Sequence, residues 1–322
     1  TRVGMTAVLV RPDGTGLYLA QMAPTQAYIL HNDVLTALPE PPSWKQQEER
    51  PVVTLKRITS AEDGEDEAVS EEDAFVQVRR FLSYLPRNAA KLPERTACDD
   101  PTERADDWLK NAIPKDRRKI FDPRKVLASI FDRDSVFEIG RYQGGSIITG
   151  LARLNGYPVG VLCSDPRIAG GAMTTTSAWK TERHVKLCDT FGLPVINLVD
   201  QPGNATGPEA ELTGTLLGAV RVLTAIESVS VPWISIIMRR AFGMAGGLHA
   251  PKHFPQLNHR FAWPSARWGS IPIEGGVSAA YRNEIAEADD PDAKRAELEA
   301  YYHRIGSPFR TAEKFGILDI ID

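Results

Sequence analysis

From residue 121 onward, short apolar runs alternate with segments whose apolar residues recur every three or four positions. Residues 146–154 and 158–164 are apolar-rich and predicted as strands, joined by Asn155-Gly156, a strong signal for a two-residue hairpin turn. Residues 193–200 form a continuous apolar run, as expected of a strand buried on both faces, and 231–238 form another. Helical spacing covers 177–191, stopped by Gly192 and Pro194, and roughly 209–228. Asp122-Pro123 is an N-cap followed by proline at the first helical position, opening a helix to about residue 131. A last helix, about 291–304, is rich in Ala, Glu and Arg, with one side toward solvent. Strands and helices alternating at these lengths build βαβ units in a layered α/β domain.

The first 120 residues are less regular. Residues 6–10 and 16–20 flank Pro12-Asp13-Gly14, a hairpin signal, and Pro39, Pro41 and Pro42 then break the chain. Eight of the twelve residues 62–73 are acidic, which reads as a solvated loop. Ala74, Val78, Phe81, Leu82 and Leu85 follow at helical spacing, and Pro86 closes that helix. Residues 87–120 are polar and broken by prolines, as in a linker wrapped on a surface. The expected division is an irregular α+β segment over 1–86, a linker over 87–120 and the main domain over 121–322. The chain begins at Thr1 and stops within the mostly apolar run 315–321, so both ends read as processing or as a piece of something longer.

Composition narrows the function classes. The 322 residues are 42% hydrophobic and 25% charged, which suits one large domain or two smaller ones. The net charge of −4 gives no basic footprint for nucleic acid. No apolar run is long enough to span a membrane, and no secretion signal opens the chain. Cys98, Cys163 and Cys188 are far apart and odd in number, so they read as reduced thiols.

Side-chain chemistry is sparse. There is no HExxH, paired CxxC, Walker loop or GxSxG. His184 stands four residues before Cys188, a spacing for two ligands on one helix face, but no second pair completes a metal site; a packed core cysteine is the expectation. His249 and His253 are also four apart, and surface or capping roles are expected for them. The remaining candidates are backbone features. RRAFGMAGG (239–247) follows an apolar strand, Asp200-Gln201-Pro202-Gly203-Asn204 follows another, and Glu274-Gly275-Gly276 opens a third turn. Glycines let a ligand approach the main chain, and free N–H groups at a helix start favour an oxyanion. Such preorganised donors supply about 2.7–4 kcal/mol each in a transition state. Tight turns of an ordinary α/β fold are the alternative reading.

Several blocks together decide between these. AFVQVRRFLSYLP (74–86), FDPRKV (121–126), KTERHVKLCD (180–189), PVINLVDQPG (194–203), RRAFGMA (239–245), FAWP (261–264), Glu274-Gly275-Gly276 and Ser307-Pro308 keep one order and spacing over roughly 250 residues. In these the chain resembles the carboxyltransferase β subunits of biotin-dependent acyl-CoA carboxylases, the propionyl-CoA carboxylase group, mainly their C-terminal half.

The resemblance implies a crotonase/ClpP-like fold of layered βαβ units in a superhelical arrangement. It implies transfer of CO2 from carboxybiotin to the α carbon of an acyl-CoA. Negative charge then develops on two oxygens, one on the biotin ureido group and one on the thioester, each needing main-chain donors. The family's Gly-Gly-Ala falls on Gly243-Met244-Ala245, making the N–H groups of Met244 and Ala245 the donors. Gly246, Gly247, Pro202, Gly203, Gly275 and Gly276 are the implied substrate- and biotin-binding positions, with Gly247 where the family sets acyl-chain choice. Met244 departs from the pattern, and its Cβ narrows the approach. Ala169-Gly170-Gly171-Ala172 has the look of the same motif but lies where the family has no such role; it reads as a flexible loop.

No metal is implied. Biotin is expected on a partner, because no Met-Lys-Met biotinylation sequence occurs. The implied partners are a biotin carboxylase and biotin carrier subunit and a second carboxyltransferase half holding the CoA, in an oligomer, with no nucleic acid or membrane. The implied location is the cytoplasm, or the mitochondrial matrix. Residues 1–86 are too short for the family's N-terminal half, so a fragment, a split subunit and a non-catalytic relative stay open. The alternatives in function are a structural or regulatory subunit of such a carboxylase and a related CoA-thioester decarboxylase.

Overall fold

The computed structural model describes residues 5–10, 17–22, 28–31, 34–37, 66 and 68–321, except 89, 117–118, 250, 252–256, 271–272 and 315. The chain divides into two compact units, residues 1–63 with 67–79, and residues 64–66 with 80–322.

The first unit holds two antiparallel strand pairs. β1 (Met5–Val10) pairs with β2 (Leu17–Met22), the expected hairpin, and β3 (Tyr28–His31) pairs with β4 (Val34–Ala37). The turn at Pro12-Asp13-Gly14 and the prolines 39, 41 and 42 lie outside the described residues. Helix α1 (Glu71–Leu82) begins inside the acidic stretch, so the loop expected over 62–73 is corrected at its end. Glu72 and Asp73 lie in its first turn, where carboxylates meet the positive end of the helix dipole.

The second unit is built on one twisted sheet. Its elements, in order, are α2 (Pro123–Ile130), β5 (Phe137–Ile139), β6 (Ile147–Leu154), β7 (Tyr157–Ser164), α3 (Thr175–Thr190), β8 (Val195–Gln201), α4 (Pro208–Thr213), α5 (Thr215–Glu227), β9 (Trp233–Phe242), α6 (Gly243–Gly247), β10 (Asn258–Ala262), β11 (Arg267–Gly269), α7 (Ile273–Ala280), α8 (Arg282–Ala286), α9 (Pro291–Ile305), α10 (Pro308–Glu313) and β12 (Asp319–Ile320). The strand order is β12-β10-β9-β8-β7-β6-β5, with β11 beside the end of β9. From β7 to β12 neighbours run parallel, while β5, β6 and β7 are antiparallel. β6 and β7 turn on Asn155 and Gly156, both at positive φ, as a two-residue hairpin requires. Asp132 accepts from both turn N–H groups at 2.8 and 2.7 Å.

Helices cover both faces. On one side α3 and α5 pack Val185, Cys188, Ala219, Val222 and Ile226 against Leu162, Val195 and Trp233. On the other, Phe121, Val126, Leu127 and Phe131 pack against Ile148, Val161, Ile196 and Met238. Every residue of β8 is buried, as the uninterrupted apolar run predicts for a central strand. Leu109, Ala112 and Ile113, from the stretch read as a surface linker, join the second cluster. Cys188 is buried against Gly160, where a Cβ would lie 2.2 Å from its sulfur.

Two element readings need correcting. The helix expected over 209–228 is two helices, because Gly214 adopts φ +77° and its N–H closes α4 on the carbonyls of Ala210 and Glu211. Glu274-Gly275-Gly276 is no turn but part of α7. Packing of Ile273 and Val277 with Phe242 and Ile285 overrides the low helix propensity of glycine.

Candidate functional site

Strands β7, β8 and β9 end side by side, and the loops that leave them meet at one edge of the sheet. Ligands of open α/β sheets bind in this position, outside the carboxyl ends of parallel strands.

Asp200, at the end of β8, ties the three loops together. Its carboxylate is fully buried and accepts from Arg239 Nη2 at 2.7 Å, Arg240 Nε at 2.6 Å and the Arg240 main-chain N–H at 3.2 Å. Burial alone would raise its pKa, yet the hydrogen bonds of Arg240 and Arg239 hold it below the usual carboxylate range. Arg240 Nη2 also donates to the Gly170 carbonyl at 2.7 Å, and a Cβ on Gly171 would lie 3.1 Å from the Asp200 carbonyl. Ala169, Gly170 and Gly171 all adopt positive φ. The 169–172 loop, expected to be flexible, is thus braced on Asp200 and Arg240.

A second buried carboxylate stands at the end of β7. Asp165 accepts from Arg124 Nη1 at 2.8 Å and from Arg167 Nε and Nη2 at 2.9 and 2.8 Å. Arg124 continues to Glu138 at 2.5 Å. Behind this network the Lys180 ammonium donates to the Ile147 carbonyl at 2.8 Å, and burial pulls its pKa down to about 8. None of these charges stands out by spacing in the sequence; the isolated Asp200 at the end of an apolar run is the one signal that could have revealed part of the network.

β9 runs four residues beyond its expected end, through Arg239 and Arg240, and passes into α6. Gly243 starts that turn at φ +63°, and a Cβ there would stand 3.1 Å from the Ser270 carbonyl. No side chain caps α6. The N–H groups of Met244 and Ala245 lie in its first turn, where no intrahelical acceptor exists. The Met244 side chain is 43% exposed, while Ala245 is fully buried and packs into the α3/α5 core cluster. Gly246 and Gly247 differ in role. A Cβ on Gly246 would stand 2.3 Å from the Ala241 carbonyl carbon, whereas Gly247 is exposed with nothing within 4 Å of that position. Gly246→Ala is therefore expected to cost about 1–3 kcal/mol of folding free energy, read as a lowered midpoint in urea. A stability equal to wild type would show that α6 can move off β9.

Pro202 and Gly203 share this edge. Gly203 has φ +130°, its N–H donates to Gln201 Oε1 at 3.0 Å, and its carbonyl accepts from Met173 at 3.0 Å. A Cβ on Gly203 would find the Phe242 carbonyl at 3.9 Å, so this turn borders the start of α6. Gly275 and Gly276 lie on α7, one exposed and one buried, where α7 packs under Phe242. No group of three or more His, Cys, Asp or Glu that could hold a metal is found among the described residues.

The surface role expected for His249 is corrected: it is buried just past α6, and its ring Nε2 has no partner among the described residues. His253 lies outside the described residues. His184 is buried beside Cys188, at 3.5 Å. Burial pulls both buried imidazoles down from 6.5 to about 3. Between those values the unfolded chain binds protons that the folded chain refuses, so stability falls as pH falls through that window. Denaturant midpoints measured from pH 7 down to 4.5 are expected to drop steeply, and His184→Gln is expected to flatten the slope. A flat profile in the wild-type protein would contradict the two neutral rings.

Residues 65–322 match the family described as the carboxyl transferase domain. The chain belongs to that family. The carboxyltransferase subunit of propionyl-CoA carboxylase from Haloferax mediterranei is 34% identical over 254 residues, covering 79% of this chain and 49% of that protein. The methylmalonyl-CoA carboxyltransferase 12S subunit of Propionibacterium freudenreichii subsp. shermanii is 31% identical over 261 residues, with 79% and 49% covered. A solved transcarboxylase 12S structure, described as a hexamer assembly with methylmalonyl-CoA and methylmalonic acid bound, superposes with a TM-score of 0.72 at 29% identity, covering 78% of this chain and 48% of that one. A single-chain long-chain acyl-CoA carboxylase gives 0.67 at 28% identity, over 80% and 24%. The carboxyl transferase fold seen here is thus the crotonase-like fold implied by the resemblance. The chain spans about half the length of the curated relatives it matches. No helix among the described residues is long and apolar enough to cross a membrane.

Proposed function

We propose that this chain is a carboxyltransferase component of a biotin-dependent acyl-CoA carboxylase, serving transfer of CO2 from carboxybiotin to the α carbon of an acyl-CoA. The observation that carries this reading is the uncapped first turn of α6 at the carboxyl edge of the sheet, in a chain of the carboxyl transferase family. The N–H groups of Met244 and Ala245 would hold the ureido oxygen of biotin. The residues present fit that group: Gly247 leaves open space beside the donors, and no capping side chain competes for them. When bound, carboxylated biotin supplies the CO2 and a ureido nitrogen that can take a proton.

The chain's own residues bind and orient. Gly243, at φ +63°, turns the strand into α6, whose first N–H groups have no intrahelical acceptor. The backbone donors need no reorganisation as charge develops, and each is worth about 2.7–4 kcal/mol there. Gly203 and Pro202 border the approach, Gly247 keeps it open, and Gly246 seats α6 against β9. Gly275 and Gly276, on α7 beneath Phe242, support the same edge. Asp200, with Arg239 and Arg240, holds the three loops in register.

The thioester side requires donors from another half of the same fold, on a partner chain or elsewhere in a longer polypeptide. Leu212, Leu216, Leu217 and Val220 are exposed along α4 and α5, an apolar face of the kind that a partner covers. Biotin would arrive on a separate carrier. The three free thiols agree with a reducing compartment, the cytoplasm or the mitochondrial matrix.

Met244 favours a second reading, a structural subunit that keeps the assembly surface without the chemistry, since its half-exposed side chain narrows the approach to the donors. One assay separates the two. The protein is combined with its purified partners, a biotinylated carrier and a panel of acyl-CoAs, and carboxyl transfer is followed. Transfer that depends on this chain supports the first reading; an intact complex that transfers to no substrate supports the scaffold.

A further inference from the structure

The carbonyl of His249, two residues past α6, is held from below by three side chains. Trp233 Nε1 donates to it at 2.6 Å, Asn197 Nδ2 at 3.3 Å, and Ser235 Oγ makes a short bond. Trp233 Nε1 also donates to Ser235 Oγ at 3.0 Å. Trp233 and Ser235 have no exposed surface and Asn197 is 5% exposed. Asn197 of β8 and Ser235 of β9 face each other in register. Polar side chains inside central strands are costly unless each finds a partner, and here all three direct donors at a single carbonyl.

That carbonyl belongs to the segment leaving α6. On the same segment, Ala245 and Leu248 enter the core cluster that contains Trp233, and Gly246 rests on Ala241. At the other end, the Arg240 N–H is tied to Asp200. α6 is therefore fixed at its entry by a carboxylate and at its exit by three buried donors.

We infer that Trp233, Asn197 and Ser235 are positioning residues: by clamping the His249 carbonyl they set the place of α6 and so aim its first-turn N–H groups. This rests on the proposed function, in which those N–H groups meet the developing negative charge. The three side chains lie beneath the site and touch no substrate. Their effect is geometric, and a misplacement of about 1 Å at a reacting centre costs on the order of 10²-fold in rate.

Ser235→Ala deletes one donor while nearly preserving shape; Trp233→Phe deletes the indole donor and also leaves a space in the core, so Ser235→Ala is the decisive variant. The variants are assayed in the complete complex, and hydrogen exchange is measured over the whole chain. Each is expected to lower kcat about 10-fold with the KM for acyl-CoA unchanged. Exchange is expected to quicken across 243–249, while β8 and β9 keep their protection. Unchanged exchange in that segment for both variants overturns the clamp, whether or not the complex turns over. Faster exchange with unchanged kcat overturns its role in positioning. A wild-type complex without transfer defeats the functional reading separately, and the exchange data then still decide the clamp.

Discussion

Asp200→Ala is expected to cost about 3–5 kcal/mol of folding free energy, the range for removing one partner of a buried ion pair. The size follows from what is left behind. Arg239 is 5% exposed and cannot turn to water where it stands. Besides Asp200, Arg239 donates to the Lys119 carbonyl at 2.9 Å and lies over the ring of Phe121, 5.1 Å from the guanidinium. Arg240 would lose its partner too, and with it the link through the Gly170 carbonyl to the 169–172 loop. Asp200→Asn keeps the shape and an acceptor and is expected to lose less. Equilibrium unfolding in urea at pH 7 measures both. A loss below about 1 kcal/mol for the alanine variant would show that the arginines find other partners and that Asp200 does not hold the loops. Because the folded carboxyl sits below its unfolded value near 3.9, the contribution of Asp200 is present above that pH and fades as pH falls through the folded value.

Ala245→Pro is expected to lower carboxyl transfer by about 10²-fold or more in the assembled enzyme, the effect of deleting one oxyanion donor. The substitution removes a single N–H in the first turn of α6, where no helix hydrogen bond is lost. Ala245 is fully buried, so thermal unfolding of the variant is read beside turnover to separate a missing donor from a displaced helix. Undiminished turnover in a variant with wild-type stability would remove Ala245 N–H from the proposed site. A loss confined to KM would mean that the N–H binds the ground state and transition state alike.

Much of the scaffold was legible because it rests on local rules. The apolar run 193–200 became a strand buried on every residue, Asn155-Gly156 became the two-residue hairpin, and Asp122-Pro123 capped α2 with Asp122 accepting from Arg124 N at 3.0 Å. Each depends on residues within a few positions of one another. The misreadings share the opposite property. The expected end of β9 at Met238 falls short because two consecutive arginines have the polarity of a strand's end, whereas in the fold Asp200, 39 residues before Arg239, neutralises them. The start of α3 at Thr175, rather than 177, comes from a capping box between Thr174 and Ser177, in which serine stands where the usual sequence signal has Glu or Gln.

The candidate site divides the same way. Glycines 243, 246 and 247 mark a place where the main chain is approached, and the order of the blocks from 74 to 308 marks the family. Neither tells which glycine makes room for a neighbour and which leaves a space. Only the packed structure separates Gly246, pressed on Ala241, from Gly247, which faces open solvent. Likewise only the fold turns His249 inward and directs Asn197, Trp233 and Ser235 to its carbonyl. The sequence by itself determined the layered α/β architecture, the family and the segment that bears the donors, because periodicity and turn chemistry are short-range properties and block order is read directly along the chain. The tertiary structure decided which buried charges are paired and how the donor helix is held, because those energies depend on groups such as Ser235 and His249, 14 residues apart, and Arg240 and Gly170, 70 apart, that become neighbours only in the folded state.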